Sequence, residues 1–499
     1  MPNVVIIGGG IAGCCSALEL AKKGHQVTIL EQADDILQGT SARTPGRMGL
    51  GYHYFDFDTA KRYMEQTVHF MRHYSDCFIG SESEPHLQHG RYFVTKDSII
   101  PLQELMATYS DISEHFDAMC TSDPKNKVFE GTHHLHRSMK PKEFQNDVNM
   151  DKVAFAIETR ECLLDWSKFS DRLKREVASS PNIKIKTGFE ASNFAVAPGG
   201  GFNVSTKSGE SEKADFMVNC SWQNVDFLNE KLGIGFAHSK KEDPEQATTA
   251  RLKLLAEVEL PEALRNKHSM FFCVGPHAMF SNLGNGQGRI TYAPVTNFAT
   301  TTESEMPNTP DKPFKRWLTE GLNEKESKLY GQKIIDGVAE YIPAMRDAKL
   351  VAVIPGIVKS KGAMNLSSPD ELSDKTKPFH KRDYSGVEEQ QIGWVDNSAM
   401  KLFYCLGNAE QVAAIIEKQE ARKQEIRNVI DFASAGSDEF ASKAMAHHMT
   451  YYLERNFRTD ERINYRMISE TMSKKEELGK AIKSPSFEKL LPITTKEKR

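Results

Sequence analysis

The first 31 residues constrain the fold more than any other stretch, because a strand, a glycine-rich turn, a helix and a second strand follow one another there. Residues 4–7 (VVII) form an apolar, β-branched run that is typical of a buried parallel strand. Residues 12–23 have helical character, and residues 27–30 predict the second strand. The turn between the first strand and the helix follows the pattern G-x-G-x-x-G, with its glycines at Gly8, Gly10 and Gly13. This order of elements predicts an α/β fold with a dinucleotide site at the end of a parallel sheet.

Each part of that pattern has a physical role in holding a dinucleotide. Gly8 permits the tight turn, Gly10 lets a pyrophosphate approach the backbone, and Gly13 lets the helix pack closely on the sheet. The helix N-terminus presents N–H groups and the positive end of its dipole to the pyrophosphate. Glu31 ends the second strand, where a carboxylate can accept hydrogen bonds from ribose hydroxyls. The acid disfavours NADP, and the motif by itself leaves FAD and NAD open.

The composition excludes several functional classes. Of the 499 residues 39% are apolar and 26% are charged, and the formal net charge of −4 gives no basic footprint for nucleic acid. No apolar run reaches the roughly 18 residues of a membrane span. The first strand begins at residue 4, so no cleavable signal is expected, and the eight cysteines include no C-x-x-C pair. We therefore expect a cytoplasmic protein with reduced thiols, no nucleic-acid partner and no integral membrane segment.

A loop over residues 39–55 carries four glycines and then turns aromatic. Glycines at this density indicate backbone held close to another group. Arg47 could contact a phosphate, and Tyr52, His53 and Tyr54 could reach a flavin ring or a substrate. The alternative for the three aromatic side chains is ordinary packing beneath the sheet, and the sequence leaves both interpretations open.

Three histidines between residues 133 and 136 are the nearest approach to a metal motif. His133, His134 and His136 have no acidic or cysteine partner at ligand spacing. We expect a solvated loop there and predict no metal site.

Later segments complete the predicted organisation. A middle unit has the pattern of a helix and several strands, at residues 162–178 (helix), 183–186, 194–197, 202–206 and 214–221 (strands). Residues 401–406 (KLFYCL) predict a further apolar strand, which meets Gly407 and Asn408 and runs into a long helix. A strand–glycine–helix junction suits a ligand over the helix N-terminus.

With these units in order, the chain resembles FAD-dependent oxidoreductases of the D-amino-acid oxidase type, a group that includes glycine oxidase and sarcosine oxidase. The resemblance covers about residues 1–60, 155–225 and 395–430. It implies an α/β architecture: a Rossmann-like FAD-binding fold that is split in the sequence, an inserted antiparallel-sheet substrate domain and a C-terminal helical extension. The boundaries expected are 1–80, 151–230 and 391–432 for the FAD-binding parts, 81–150 and 231–390 for the substrate domain, and 433–499 for the extension.

The resemblance also implies which residues contact FAD. Gly8, Gly10 and Gly13, with Ile11 and Ala12 between them, would hold the pyrophosphate, and Glu31 would bind the adenosine ribose. The other residues expected along the cofactor are Thr40, Ser41 and Ala42 near the phosphates or flavin, Arg47, Met48 and Gly49 by the isoalloxazine, Ala191 at the adenine, and Gly407, Asn408 and Ala409 near the pyrimidine end of the flavin. Trp222 follows a strand where the family usually has a glycine, but most contacts to FAD are main-chain, so binding is still expected.

The leading hypothesis is an FAD-dependent oxidoreductase that oxidises an amine or amino acid by hydride transfer to the flavin. A carboxylate substrate needs a cation to fix it, and arginine makes the better planar clamp. Arg289 is the first choice, with Tyr292 beside it on or next to a strand, and Arg47 and His53 are second choices. The alternative for Arg289 is an ordinary ion pair.

Two other functions remain open on the sequence. An FAD-dependent hydroxylase would also need NAD(P)H. A non-catalytic scaffold would hold a nucleotide and contact a partner protein, or another copy of the chain, through the C-terminal helices. Reduction of the bound flavin by amines would favour amine oxidation, and reduction by NADPH would favour hydroxylation. A flavin that neither compound reduces would favour the scaffold.

Overall fold

The computed structural model describes residues 2–435, except for residues 45, 81–82, 130–134, 197–200, 232–247, 302–305, 363–364, 366–367, 369–370, 372–373 and 399–400. His133 and His134, and the predicted extension beyond Ala435, lie outside the described residues. Among the helices that are described, none combines the length and apolar character needed to cross a lipid bilayer.

The described elements are mixed α and β. The strands are β1 (Asn3–Ile7), β2 (Gln26–Leu30), β3 (Gly90–Thr95), β4 (His136–Ser138), β5 (Val153–Thr159), β6 (Ile183–Lys186), β7 (Asn193–Val196), β8 (Phe202–Ser205), β9 (Ser211–Ala214), β10 (Phe216–Asn219), β11 (Thr248–Glu259), β12 (Ser269–Cys273), β13 (Ala278–Gly284), β14 (Gln287–Tyr292), β15 (Asn297–Thr301), β16 (Lys349–Lys361), β17 (Val387–Gln391) and β18 (Trp394–Asn397). The helices are α1 (Ile11–Lys22), α2 (Phe57–Tyr74), α3 (Leu102–Ser122), α4 (Trp166–Ser179), α5 (Val225–Lys231), α6 (Glu262–Arg265), α7 (Ala293–Thr296), α8 (Phe314–Glu320), α9 (Glu324–Ala339) and α10 (Cys405–Ala435).

A six-stranded sheet, which we call the nucleotide sheet, has the order β17-β18-β10-β1-β2-β6. The strands from β18 to β6 run parallel, and β17 is antiparallel at the edge. The apolar side chains of β1 lie in the core, and α1 packs against α10 over one face. The strands come from three separated parts of the chain, so the predicted split of the nucleotide fold is confirmed.

A nine-stranded sheet, which we call the large sheet, has the order β15-β11-β14-β13-β12-β3-β5-β4, with β16 also paired to β11. All of its pairs are antiparallel except β12 with β3. Helix α9 covers one face of the sheet through Ile334, Ile335 and Val338. The predicted boundary at residues 150/151 assigns β5 to the nucleotide unit, whereas the hydrogen bonds of β5 lie in the large sheet. The hairpin predicted after residue 193 is present as β7 and β8.

The strand predicted for residues 401–406 was wrong. The structure has a short 3-10 turn at Leu402–Tyr404, and α10 begins at Cys405, so Gly407 and Asn408 lie inside the helix. The parallel strand that precedes this helix is β18. A short, fully buried apolar run has no period that distinguishes a strand from a turn or helix, which explains the error.

Candidate active site

A cleft of about 590 Å³ lies where the nucleotide sheet meets the large sheet. This volume is within the roughly 300–1,000 Å³ that ligand sites typically enclose. One end is lined by the glycine turn and the end of β2, the middle by the loop after residue 39, and the other end by the large sheet. The sequence-predicted residues that line it are Gly8, Gly10, Ile11, Ala12, Glu31, Thr40, Ser41, Arg47, Ala191 and Arg289.

The glycine turn has the conformation that its spacing predicts. Gly8 has a φ of +101°, and a Cβ there would lie 2.7 Å from a backbone oxygen. A Cβ at Gly13 would overlap the carbonyl oxygen of Gly8, so the helix can approach the turn only with glycine there. Gly10 precedes α1 without a side-chain cap, and Ile11 and Ala12 follow it in the cleft wall. The first turn of α1 is therefore positioned to receive a pyrophosphate.

Glu31 points into the glycine turn. Its Oε2 accepts a hydrogen bond from the Gly9 N–H at 2.7 Å, and its Oε1 accepts one from the Ala33 N–H at 2.9 Å. A carboxylate has about four acceptor positions, so capacity remains for ribose hydroxyls. The cradle and its acid together fit the adenosine diphosphate half of FAD.

The loop after residue 39 adds a wall beside this cradle. Thr40–Arg43 is a 3-10 turn, and the Ser41 Oγ accepts a hydrogen bond from the Ile11 N–H at 3.1 Å. Thr40 and Ser41 line the cleft, whereas Ala42 is not part of its lining. The contact ties the loop to the first turn of α1.

Ala191 reaches the adenosine end of the cleft through backbone pairing. The N–H groups of Gly188 and Phe189 donate to the carbonyl oxygens of Ala33 and Glu31, at 3.0 and 2.9 Å. This pairing brings Ala191 beside Glu31 in the cleft wall.

Met48 and Gly49 are placed behind the cleft wall. The Met48 side chain is fully buried, and a Cβ at Gly49 would overlap the ring of Tyr63. The Gly49 carbonyl oxygen accepts a hydrogen bond from Thr67 Oγ1 at 2.7 Å. These residues fix the backbone that carries Arg47, and neither is part of the cleft lining.

The three residues predicted at the pyrimidine end also lie off the cleft lining. A Cβ at Gly407 would overlap the Gln66 side chain, and Ala409 is buried in the core. Asn408 donates through Nδ2 to Asn397 Oδ1 at 3.1 Å. Lys401 and Leu402, just before α10, line the cleft instead.

Arg47 is the best-placed cation of the cleft wall. Its guanidinium carbon lies 4.5 Å from the ring centroid of Phe271 and 5.7 Å from that of Tyr92. Burial opposes its charge, but Tyr92 and the Glu161 carboxylate outweigh burial and raise the pKa of Arg47. Its Nη1 is buried and has no hydrogen-bond partner among the described residues. A buried charged donor without a partner is costly, so this atom is a candidate contact for an anionic ligand.

Glu161 holds the backbone of the loop beside Arg47. Its carboxylate accepts hydrogen bonds from the Leu50 N–H and from the Tyr92 hydroxyl, both at 2.5 Å. Burial raises the pKa of Glu161, and the charge of Arg47 opposes that rise. Glu161 therefore supplies the charge that balances Arg47 from behind the cleft.

Lys401 is a second cation of the cleft wall. Its Nζ lies 5.3 Å from the ring centroid of Tyr54 and 5.7 Å from that of Tyr63. Across the part of the chain that the structure describes, no carboxylate pairs with it. Burial and neighbouring guanidinium groups hold the pKa of Lys401 well below its usual value.

His53 lies close to these cations but outside the cleft lining. Its ring centroid is 5.5 Å from that of Tyr54, and its Nδ1 is buried with no hydrogen-bond partner in the described structure. Burial, then Arg47 and Lys401, lower the pKa of His53 well below its usual value. The imidazole is therefore neutral at pH 7.

Arg289 and Tyr292 lie on opposite faces of β14. Arg289 lines the cleft, but its Nε and Nη2 donate to Glu257 Oε1 at 2.9 and 2.6 Å. The ring of Tyr292 packs over Gly337 of α9, since a Cβ at that glycine would overlap the ring. This placement corrects the expectation that Tyr292 stands beside Arg289. Strand alternation separates the two side chains, because they are three positions apart.

Sequence reasoning missed Glu161 and the role of Lys401. Glu161 follows β5 in a polar stretch with no motif, so no local signal marks it. Lys401 begins the apolar run KLFYCL, and a lone lysine at the edge of a buried run was the signal available. Glu161 and Lys401 come close to Arg47 through contacts between residues that are far apart in the sequence.

Comparison with known proteins agrees with the geometry of the cleft. Residues 3–324 match the family model DAO, described as FAD dependent oxidoreductase. Glycine oxidase from Geobacillus kaustophilus superimposes with a TM-score of 0.55 at 14% identity, over 84% of this chain and 95% of that chain. L-amino acid deaminase from Proteus myxofaciens in complex with anthranilate also gives a TM-score of 0.55 at 14% identity, over 84% and 90%. At these identities the structures show a shared fold.

Curated relatives match shorter segments. The FAD-dependent monooxygenase kojA of Aspergillus flavus is 33% identical over 130 residues, which are 26% of this chain and 29% of the relative. D-amino acid dehydrogenase of Neisseria meningitidis is 39% identical over 50 residues, which are 10% of this chain and 12% of the relative. The chain thus matches less than a third of the length of either relative.

Proposed function

Starting from the membership of this chain in the DAO family of FAD dependent oxidoreductases, we propose that it oxidises an amine or amino acid whose carboxylate is held by Arg47 and Lys401. The chain is an enzyme of this family and FAD is its cofactor. The observation that carries the substrate proposal is that two basic side chains line one cleft: Arg47 has a buried Nη1 without a hydrogen-bond partner among the described residues, and no carboxylate there pairs with Lys401.

The cradle supports placing the cofactor at one end of the cleft. Gly8, Gly10 and the first turn of α1 would hold the pyrophosphate, Glu31 the ribose, and the backbone at Ala191 the adenine. The chemistry that bound FAD supplies is acceptance of a hydride from the carbon that bears the amine. The substrate then belongs beyond the loop after residue 39, where Arg47 and Lys401 lie.

The two cations would bind and orient the substrate. The planar guanidinium of Arg47 suits a carboxylate better than a point charge does. Its Nη1 has no hydrogen-bond partner among the described residues. An anion bound beside Lys401 would raise its lowered pKa and favour the charged ammonium form, and the rings of Tyr54 and Tyr63 pack beside that group. Low water access strengthens both interactions, because screening is weaker there.

Arg289 is not the anchor in this proposal. Its charge is already balanced by Glu257, so adding a carboxylate there would require breaking an existing ion pair. His53 is neutral and can accept a hydrogen bond, but it contributes no charge to carboxylate binding.

The experiment is anaerobic reduction of the holoenzyme with a panel of amino acids and amines, followed through the flavin absorption bands. Replacing Lys401 or Arg47 with methionine should raise the dissociation constant of a reducing amino acid by about 10- to 100-fold, since each charged hydrogen bond contributes about 1.5–3 kcal/mol. Lys349→Met is the matched control, because Lys349 is exposed and lies outside the cleft lining, and it should change the dissociation constant by less than about threefold. Unchanged affinity in both Lys401→Met and Arg47→Met would contradict the assignment.

Hydroxylation is the second candidate function, favoured by the 130-residue similarity to an FAD-dependent monooxygenase. In that case NADPH or NADH would reduce the bound flavin and amino acids would not. Amines that bleach the flavin while NADPH leaves it oxidised support the amine oxidation that we favour.

A further inference from the structure

Trp222 has a backbone conformation that costs free energy for a residue other than glycine. Its φ is +53°, in the left-handed region that side chains with a Cβ rarely adopt. Trp222 begins the 3-10 turn after β10, and its side chain lines the cleft. A strained conformation of this kind persists only where the surrounding structure imposes it, and such positions cluster at ligand sites.

A series of buried hydrogen bonds fixes the residue before Trp222. Asn219 Oδ1 accepts hydrogen bonds from the Ser221 N–H at 3.3 Å and from the Ser221 hydroxyl at 2.6 Å. Asn219 Nδ2 donates to Asn229 Oδ1 at 3.1 Å, and Asn229 Nδ2 donates to Asp396 Oδ2 at 2.5 Å. Ser221 is thereby tied to the interior of the nucleotide sheet, and Trp222 is held at the edge of the cleft.

The turn that carries Trp222 stands directly beside the glycine cradle. A Cβ at Gly8 would lie 2.7 Å from the Cys220 carbonyl oxygen and 3.3 Å from the Ser221 Cα. The indole of Trp222 reaches from there to the large sheet, where it packs against the apolar core beneath α9. Trp222 thus connects the large sheet with the part of the cleft that suits a pyrophosphate.

The indole N–H of Trp222 is a buried donor that lacks an acceptor. Its Nε1 is buried and has no hydrogen-bond partner among the described residues. Burying a donor without an acceptor costs free energy. Because Trp222 lines the cleft, an acceptor oxygen of a bound ligand would remove this cost.

Lys359 of β16 lies beside the same ring. It is 1% exposed, its Nζ lies 5.7 Å from the ring centroid of Trp222, and no described residue accepts a hydrogen bond from that atom. Two neighbouring donors cannot satisfy each other, and a buried ammonium group favours an anionic acceptor nearby. Lys359 is not part of the cleft lining, so Trp222 faces the ligand and Lys359 adds positive potential from beside the ring.

We propose that the Trp222 indole N–H donates a hydrogen bond to an oxygen of the FAD pyrophosphate, with Lys359 adding positive potential beside the ring. FAD is the cofactor of this chain, and the glycine turn next to Ser221 suits its phosphates. The side-chain contact adds to the main-chain contacts of the cradle and offsets the strained φ of Trp222. It concerns the cofactor, so it does not depend on which substrate is oxidised.

Binding of FAD, ADP and adenosine to the full chain freed of cofactor tests the contact without turnover. Trp222→Phe keeps an aromatic ring at the same φ and removes the N–H. It should raise the dissociation constants of FAD and ADP by about tenfold or more, because a hydrogen bond to a charged group is lost. The dissociation constant of adenosine, which has no phosphate, should change by less than about threefold.

Two controls accompany this variant. Trp166→Phe alters a half-buried tryptophan that packs on Phe169 outside the cleft lining, and it should leave all three dissociation constants unchanged. Lys359→Met should weaken FAD and ADP by about threefold or more, since a positive charge near the phosphates is lost. Lys349→Met, at the exposed end of β16, should not. Equal affinities in the two lysine variants would contradict the part assigned to Lys359.

The wild-type chain offers a test that needs no variant. It has four tryptophans, so labelling them with ¹⁵N gives few indole N–H resonances to follow. One of these resonances should move downfield when ADP binds, as a donor that gains an anionic acceptor does, and adenosine should leave it in place.

An unchanged FAD dissociation constant in Trp222→Phe would overturn the proposal. A loss for FAD without a loss for ADP would overturn it by placing the contact on the flavin half, and an equal loss for adenosine would indicate a general distortion of the cleft instead. The absence of any indole shift with ADP would overturn it even if Trp222→Phe does not fold.

Discussion

The Glu257 carboxylate faces the Arg289 guanidinium across the paired strands β11 and β14, and one oxygen accepts hydrogen bonds from both Nε and Nη2. The remaining Nη1 of Arg289 donates to the carbonyl oxygen of Thr44. The arginine thus joins the large sheet to the loop that carries Arg47. We therefore expect Arg289 to stabilise the structure and not to bind the substrate.

Replacing Arg289 with methionine should lower the free energy of unfolding by about 1–3 kcal/mol, because Glu257 is left partly buried without its partner. The double variant Arg289→Met/Glu257→Gln should recover part of that loss, which a double-mutant cycle in urea unfolding would measure. A large rise in KM for Arg289→Met, with an unchanged free energy of unfolding, would contradict this expectation and indicate that Arg289 binds the substrate.

Glu31→Gln should weaken FAD retention by about tenfold or more, since a charged acceptor of ribose hydrogen bonds is replaced by a neutral one. The measurement is the FAD dissociation constant of reconstituted apoprotein. Asp35→Asn is the matched control, because Asp35 lies in the same loop and pairs with Lys174 at the surface. Equal FAD affinity in the Glu31 and Asp35 variants would contradict the ribose assignment.

Gly49→Ala should destabilise the fold by about 1–3 kcal/mol, because the added methyl group would overlap the Tyr63 ring and force repacking beneath Arg47. Gly39→Ala is the control: nothing lies within 4 Å of its added carbon. Thermal unfolding of both variants compares them directly. Comparable melting temperatures would show that Tyr63 moves aside without cost.

Binding of a carboxylate at Arg47 and Lys401 should weaken as the pH rises through neutrality, because Lys253 is close enough to both to interact with their charges. Burial, then Arg251 and the other cations near it, lower the pKa of Lys253 to about 7, so its ammonium group is charged below that pH and neutral above it. His53, already neutral, adds no charge at pH 7. Affinity for a carboxylate ligand should fall by up to about tenfold per pH unit between pH 7 and 9.

A pH series of calorimetric titrations checks this expectation, with Lys253→Arg as the control. The arginine variant should show a flatter profile, because a guanidinium retains its proton more strongly than an ammonium group. A wild-type profile that is flat from pH 6 to 9 would contradict the role given to Lys253.

The nucleotide half of the protein could be predicted from local sequence because each of its parts has a short-range signal. The turn at Gly8 needs a positive φ, α1 needs a close approach at Gly13, and Glu31 is placed by the length of the intervening helix and strand. These local requirements do not depend on how the rest of the chain folds. The apolar run before α10 had no such signal, and there the prediction failed.

The sequence by itself determined the cradle for FAD, since backbone geometry at three glycines is a property of neighbouring residues. Only the tertiary structure decided which basic side chains of the cleft lining are paired with a carboxylate. In the sequence, Arg289 looks as available to a ligand as Arg47 does. Strand pairing supplies Glu257 to Arg289, whereas Arg47 packs over the ring of Phe271 and keeps its Nη1 without a partner among the described residues. Both outcomes depend on contacts between residues far apart in the chain.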